Sequence, residues 1–212
     1  MPDETSKPFN PLDKQNLAES IATAIDRAQV QPLPPPKFTA AGLYFLYYSG
    51  PYDAYAPLVK FNAGGYYWPI YIGKGMPPGV RKGAAEEGGK ALKNKGIYDR
   101  LKNHAKSIGE AENLELAHFH CRLLAMDEAF IHLGEILLIS KFRPVWNVAL
   151  DGFGNNPVGG PRSAGRRSAW DTVHPGRQAR ATAAVDPKRQ RELLIRINAH
   201  LADVLPAQRS ET

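Results

Sequence analysis

Apolar and polar positions alternate in blocks whose spacing changes along the chain. Residues 10–30 carry Leu12, Leu17, Ile21, Ala24 and Ile25 at helical intervals, which predicts an amphipathic helix with Asn10 as its cap and Pro11 in its first turn. Residues 31–36 (QPLPPP) interrupt it, because each proline removes a donor and restricts the residue before it, so the stretch reads as an extended linker. Residues 41–49 (AGLYFLYYS) and 66–72 (YYWPIYI) are almost wholly apolar or aromatic, as expected of two strands buried on both faces and paired as a hairpin. The 50–65 segment between them is long for a turn and predicts an excursion with a role of its own.

Residues 91–109 read as a helix with a polar, basic face, and 114–125 as a strand. Asp127 is placed to cap a helix running to Lys141, with Phe130, Leu133, Leu137 and Ile139 on its apolar side. Pro144 ends that helix, and 145–150 read as a last short strand. A Gly/Arg-rich stretch without periodicity follows to about Arg180, and a final helix opens at Asp186-Pro187 and runs to about Leu205. No internal repeat interrupts this order.

The chain has 212 residues and 43% hydrophobic content, enough for one moderate core with terminal elaborations. Its formal charge of +6 is unevenly spread. Residues 60–106 hold ten basic side chains against Glu86, Glu87 and Asp99, and residues 158–180 hold five arginines against Asp171. Basic blocks of this kind suit a polyanionic partner without requiring one. Cys121 is the sole cysteine, which excludes an internal disulfide or a multi-cysteine zinc site and fits a reducing compartment. Nothing resembles a secretory signal or a membrane span, so the expectation is a soluble, cytoplasmic protein without a membrane partner.

Within this frame a few polar residues recur in settings that suit phosphodiester cleavage: Gly42-Leu43-Tyr44, Tyr71-Ile72-Gly73-Lys74, Arg100 with His104 in YDRLKNH, and Glu135 with Asn147 in GEILLISKFRPVWN. Over residues 42–150 these motifs resemble the GIY-YIG nuclease family, with leucine for isoleucine at position 43 and a longer stretch between the two triplets than compact members use. Asp151-Gly152-Phe153-Gly154-Asn155 and Trp170-Asp171 with His174-Pro175-Gly176-Arg177 resemble a subgroup of type II restriction endonucleases on that fold, homodimers that cut the palindrome CCGCGG. The resemblance implies an α/β (α+β) fold with a mainly antiparallel sheet flanked by helices. It divides the chain into an N-terminal helical arm and linker (1–40), a nuclease core (41–150, with the 50–65 insertion) and a C-terminal recognition segment with a terminal helix (151–212).

The resemblance marks these residues as the site, and side-chain chemistry suggests a role for each. Tyr44 is expected as general base or as the group that orients the attacking water, with Tyr71 bonding the water or the scissile phosphate; a phenol takes a proton only where cations favour the phenolate. Arg100 would neutralise charge on the phosphate through its fork of donors, and His104, one helical turn away, would hydrogen-bond Tyr44. Glu135, alone in an apolar run, is expected to ligate Mg²⁺, with Mn²⁺ as a substitute, and Asn147 to position the phosphate or fix the glutamate. Arg162, Arg166, Arg167 and Arg177 lie in a stretch too rich in glycine and proline for a core, and with Lys74 are candidates for contact with double-stranded DNA. His118, His120 and Cys121 do not share one strand face and are set aside as a metal site. The products would be 5′-phosphate and 3′-hydroxyl ends, and a companion methyltransferase is implied. The alternatives are a structure-specific or homing nuclease of the same chemistry and a catalytically silent DNA-binding protein.

Overall fold

A computed structural model describes residues 13–76, 96–154, 167–177 and 185–206. Four strands, β1 (Gln31–Pro32), β2 (Gly42–Tyr48), β3 (Tyr71–Gly75) and β4 (Phe119–Ala125), form one sheet in the order β1-β4-β2-β3, antiparallel throughout. The mixed α/β architecture is the one expected from the sequence. β2 is buried at every residue because strands flank both its edges and helices cover both its faces.

Period-two alternation along β2 divides the interior. Leu43, Phe45 and Tyr47, with Ile72 of β3, meet Ile25 of α1 (Lys14–Asp26) and Ile131 and Leu138 of α4 (Glu128–Phe142). Tyr44, Leu46 and Tyr48, with Tyr71, form the opposite and larger core. That core is completed by α3 (Ile97–Gly109), α5 (Val145–Val148), α6 (Ala169–Val173) and α7 (Pro187–Val204). The first and last segments therefore help to cover the sheet that the central motifs build.

Several elements differ from expectation. Asp13, not Asn10, caps α1, accepting from the Gln15 N–H. The proline-rich 31–36 stretch is not a free linker: Gln31 pairs with Cys121 and Pro32 with His120 at the sheet edge, where a proline is tolerated. The 50–65 excursion forms a 3-10 turn at Asp53–Tyr55 and α2 (Ala56–Phe61), burying Tyr55 and Leu58. β3 starts only at Tyr71, because the Asn62 side chain accepts from the Tyr67 and Trp68 N–H groups and turns the chain there. β4 is likewise preceded by a 3-10 turn at Leu116–His118.

The buried face of α4 also differs from expectation. Phe130 and Leu133 are exposed, whereas Ile131, Gly134, Leu137 and Leu138 point inward. The helix is apolar on nearly every side, so periodicity could not select the docking face. Within 145–150 the chain forms helix α5 at Val145–Val148, not a strand, yet it still reaches the sheet edge: the Trp146 N–H donates to the Ile70 carbonyl at 3.0 Å.

Candidate active site

The site begins with the register of β2 against β3. Tyr44 stands opposite Gly73 and Leu46 opposite Tyr71, so the two tyrosines are diagonal neighbours on the α3 side of the sheet, their ring centroids 6.3 Å apart. A methyl group on Gly73 would overlap the Tyr44 hydroxyl, and one on Gly154 would overlap that of Tyr71. These two glycines are small because phenol oxygens fill the volume a side chain would take.

α3 supplies the next two groups from adjacent turns. The Tyr44 hydroxyl lies 2.7 Å from His104 Nε2, and the His104 ring stacks on Phe153 at 4.6 Å with 17° between planes. The Arg100 guanidinium lies near enough to both phenols to act on them electrostatically and donates to the Gly154 carbonyl at 3.1 Å.

Burial governs protonation here. It pushes the Tyr44 pKa well above that of an ordinary phenol and raises Tyr71 as well; Arg100 opposes the rise at both rings, while the negative charge of Glu135 adds to it. Burial, reinforced by Arg100 and Arg177, lowers His104 to about 3. The pair at rest is thus a neutral phenol and a neutral imidazole. Tyr44 and His104 are enclosed, whereas Arg100 and Glu135 are half-buried, so the constellation runs from the interior to the surface.

Glu135 lies on α4, beside the edge strand β3. Its Oε2 is 2.6 Å from Lys74 Nζ, with side-chain exposures of 19% for Glu135 and 27% for Lys74, so the carboxylate is neither sealed nor fully solvated. Asn147 does not reach toward the carboxylate. Its Oδ1 accepts from the Ile72 N–H at 2.8 Å and its Nδ2 donates to the Ile72 carbonyl at 2.9 Å. The amide mimics a strand partner for the outer edge of β3 and acts on the site by fixing the residue between Tyr71 and Gly73, where a hold on the glutamate was one of the expected roles.

The arginines expected to face DNA have different settings. Arg162 and Arg166 lie outside the described residues. Arg167 donates to the Asp171 carbonyl at 3.3 Å. Arg177 is buried: its Nε bonds Asp171 Oδ1 at 2.6 Å, its guanidinium lies 4.5 Å from the Trp170 ring, and it donates to the Gly152 and Phe153 carbonyls. With its donors turned inward, Arg177 is a clamp that holds the 152–154 turn over His104 and Arg100; residues 167–177 are thus part of the core, contrary to the expectation of a stretch too rich in glycine and proline to be buried.

A second buried tyrosine–histidine pair anchors the same region. Trp146 Nε1–H donates to the Tyr55 hydroxyl at 2.8 Å, Tyr55 donates to His174 Nε2 at 2.6 Å, and His174 Nδ1–H donates to Asn113 Oδ1 at 2.9 Å. Burial and Arg177 lower His174 to about 3, as suits an imidazole that accepts at one nitrogen. This relay did not follow from sequence, since partners up to 119 residues apart carry no periodic signal.

The donor set fits a hard divalent cation. Among the described residues no group of three or more His, Cys, Asp or Glu could cage an ion. Mg²⁺ is commonly held by one or two carboxylates plus waters and phosphate oxygens, and the Lys74 ammonium on Glu135 Oε2 marks a place where positive charge is already favoured.

A two-tyrosine hairpin, a helix presenting arginine and histidine to it, and a following helix with a single glutamate at the strand edge define a nuclease of the GIY-YIG class. The family model described as the Eco29kI GIY-YIG domain matches residues 36–201, and the chain belongs to that family of restriction endonucleases, whose substrate is DNA. The match crosses position 150 and includes the buried 167–177 segment. A comparison with curated proteins gave no match. Among the described residues no helix is long and apolar enough to cross a membrane.

Proposed function

We propose that the protein is a type II restriction endonuclease that hydrolyses both strands of duplex DNA at a GC-rich palindrome, CCGCGG, in a Mg²⁺-dependent reaction leaving 5′-phosphate and 3′-hydroxyl ends. The observation that carries this reading is the convergence of Tyr44, Tyr71, Arg100 and His104 on one face of the β2–β3 hairpin, within electrostatic reach of Glu135. The palindrome is supported by the family and by the Phe153-Gly154 and Trp170-to-Arg177 segments that resemble CCGCGG-cutting members. A palindrome offers one scissile bond per strand, and a two-fold homodimer supplies one site to each. Self-protection of host DNA then requires a companion methyltransferase.

The geometry suggests how the residues share the chemistry. A neutral Tyr44 oxygen orients the attacking water, and as it takes the water's proton its own proton passes to His104 Nε2, so no standing phenolate is needed. Tyr71 lies beside it to bond the water or the scissile phosphate. Arg100 turns from the Gly154 carbonyl to the phosphate as negative charge grows there. A cation held by Glu135, Mg²⁺ or Mn²⁺, would supply charge stabilisation at the leaving 3′ oxygen and a non-bridging oxygen. Asn147 keeps β3 in place. Lys74, Arg162, Arg166 and Arg167 are assigned to the DNA, while Arg177 is assigned to the fold.

Digestion of plasmid DNA with Mg²⁺, followed by sequencing of the fragment ends, tests this reading. Discrete fragments bounded by CCGCGG with 5′-phosphates are the expected result. A smear, or nicking confined to branched DNA, would favour a structure-specific nuclease and overturn the restriction assignment.

A further inference from the structure

Glu135 is not alone on Lys74. The ammonium nitrogen lies 2.6 Å from Glu135 Oε2 and 2.7 Å from His132 Nδ1. His132 and Glu135 are three residues apart on α4, hence neighbours on one helical face, and they hold the same positive charge between them. An ammonium has only donors, so Nδ1 receives a hydrogen and directs its lone pair at Nζ. A position shared by a carboxylate oxygen and an unprotonated imidazole nitrogen is one a divalent transition ion can take. His132 is exposed and Glu135 is half-buried, so an ion can arrive from solvent without opening the core.

We propose that His132 and Glu135 form a two-ligand divalent-cation site, that the Lys74 ammonium is its resident charge until an ion displaces it, and that the nitrogen donor favours Mn²⁺, Co²⁺ and Ni²⁺ over Mg²⁺. The proposal rests on the reading of Glu135 as a metal ligand and adds a second donor to it. Imidazole suits the later first-row ions, whereas Mg²⁺ prefers oxygen and gains little from it. Lys74 competes because carboxylate and imidazole must release it before they close on a metal.

The test uses the full chain without DNA. Mn²⁺ binding is followed by the electron paramagnetic resonance of the free ion and Ni²⁺ binding by calorimetry, with Mg²⁺ as competitor, for the native protein, His132→Ala, Glu135→Gln and Lys74→Met. Loss of even an outer-shell partner costs about 10–100-fold in metal affinity. His132→Ala should therefore weaken Mn²⁺ and Ni²⁺ by about tenfold or more and leave Mg²⁺ nearly unchanged. Glu135→Gln should weaken all three ions, and Lys74→Met should strengthen all three. In the native protein substoichiometric Mn²⁺ should broaden the His132 ring proton resonances, and in Glu135→Gln it should not.

If His132→Ala binds Mn²⁺ and Ni²⁺ as the native protein does while Glu135→Gln loses them, the two-ligand site is wrong and the single-glutamate reading survives. Equal binding by native protein and Glu135→Gln overturns both. No gain in Lys74→Met overturns the displacement step, and no Mn²⁺ binding by either native protein or Lys74→Met at millimolar ion overturns the site. Because the His132 side chain is exposed, its removal leaves no cavity and the variant should fold.

Discussion

The Tyr44 hydroxyl and His104 Nε2 are 2.7 Å apart, and both side chains are enclosed. Burial raises the phenol's pKa and lowers the imidazole's to about 3, so neither is charged at rest and the pair can pass a proton only as a unit. Tyr44→Phe and His104→Ala should each reduce single-turnover cleavage by about 10²–10⁴-fold while leaving DNA binding in place. Groups acting as a unit are non-additive, so the double variant should be little slower than the worse single one. Multiplying losses would sink the relay.

Gly73 tests how tightly the site is packed. In Gly73→Ala the new methyl would overlap the Tyr44 hydroxyl and force the ring away from His104. Overpacking of this kind costs about 1–3 kcal/mol, so the melting temperature should fall along with cleavage. Gly154→Ala should displace Tyr71 in the same way. Unchanged cleavage in both variants would mean that the hydroxyl positions do not matter.

Arg177 distinguishes a clamp from a DNA contact. Removing one partner of a buried ion pair leaves an uncompensated charge, so Arg177→Ala should destabilise the protein by about 3–5 kcal/mol in denaturant unfolding. Arg177→Lys keeps the charge but not the fork that reaches the Gly152 and Phe153 carbonyls; it should slow cleavage and leave the slope of log affinity against log salt unaltered. A slope reduced by about one would show a lost phosphate contact instead.

Acid should unfold the protein through its buried histidines. His104 and His174 are both lowered to about 3, so between the ordinary histidine value near 6.5 and about 3 the unfolded chain binds more protons than the folded one. Their stabilising contribution is fully present above about pH 6.5 and is lost as pH falls toward about 3, by roughly 2 kcal/mol per histidine between about pH 7 and pH 5. Denaturant titrations at the two pH values measure it. His174→Gln should reduce the difference, and an unchanged difference would contradict the assignment.

Glu135→Ala removes the only carboxylate of the proposed site. Cleavage should fall to background in Mg²⁺ and in Mn²⁺, whereas Mg²⁺-independent DNA binding, measured by gel shift, should be retained. Residual Mg²⁺-dependent cutting near the native rate would place the cation elsewhere.

Much of the fold was legible locally. The apolar run of β2, the capped starts of α4 and α7, and the Arg100–His104 helix follow from alternation, caps and helical spacing, which depend on residues a few positions apart. The Tyr44–His104 bond was legible too, but only through the motif, since the partners are sixty residues apart. What escaped depends on which surfaces meet. The buried face of an all-round apolar α4, the docking of 31–32 on β4 and the helix at 145–148 were each decided by the sheet they pack against.

By itself the sequence determined the residue types a phosphate-cleaving site requires and the class of fold that carries them. Only the tertiary structure decided their functions in space: that Asn147 braces a strand, that Arg177 faces inward, and that His132 shares a lysine with Glu135. The reason is physical. Chain chemistry fixes what a side chain can donate, accept or bury, but burial and partnership are properties of neighbours brought together by folding, and those set the charge state and orientation on which the chemistry depends.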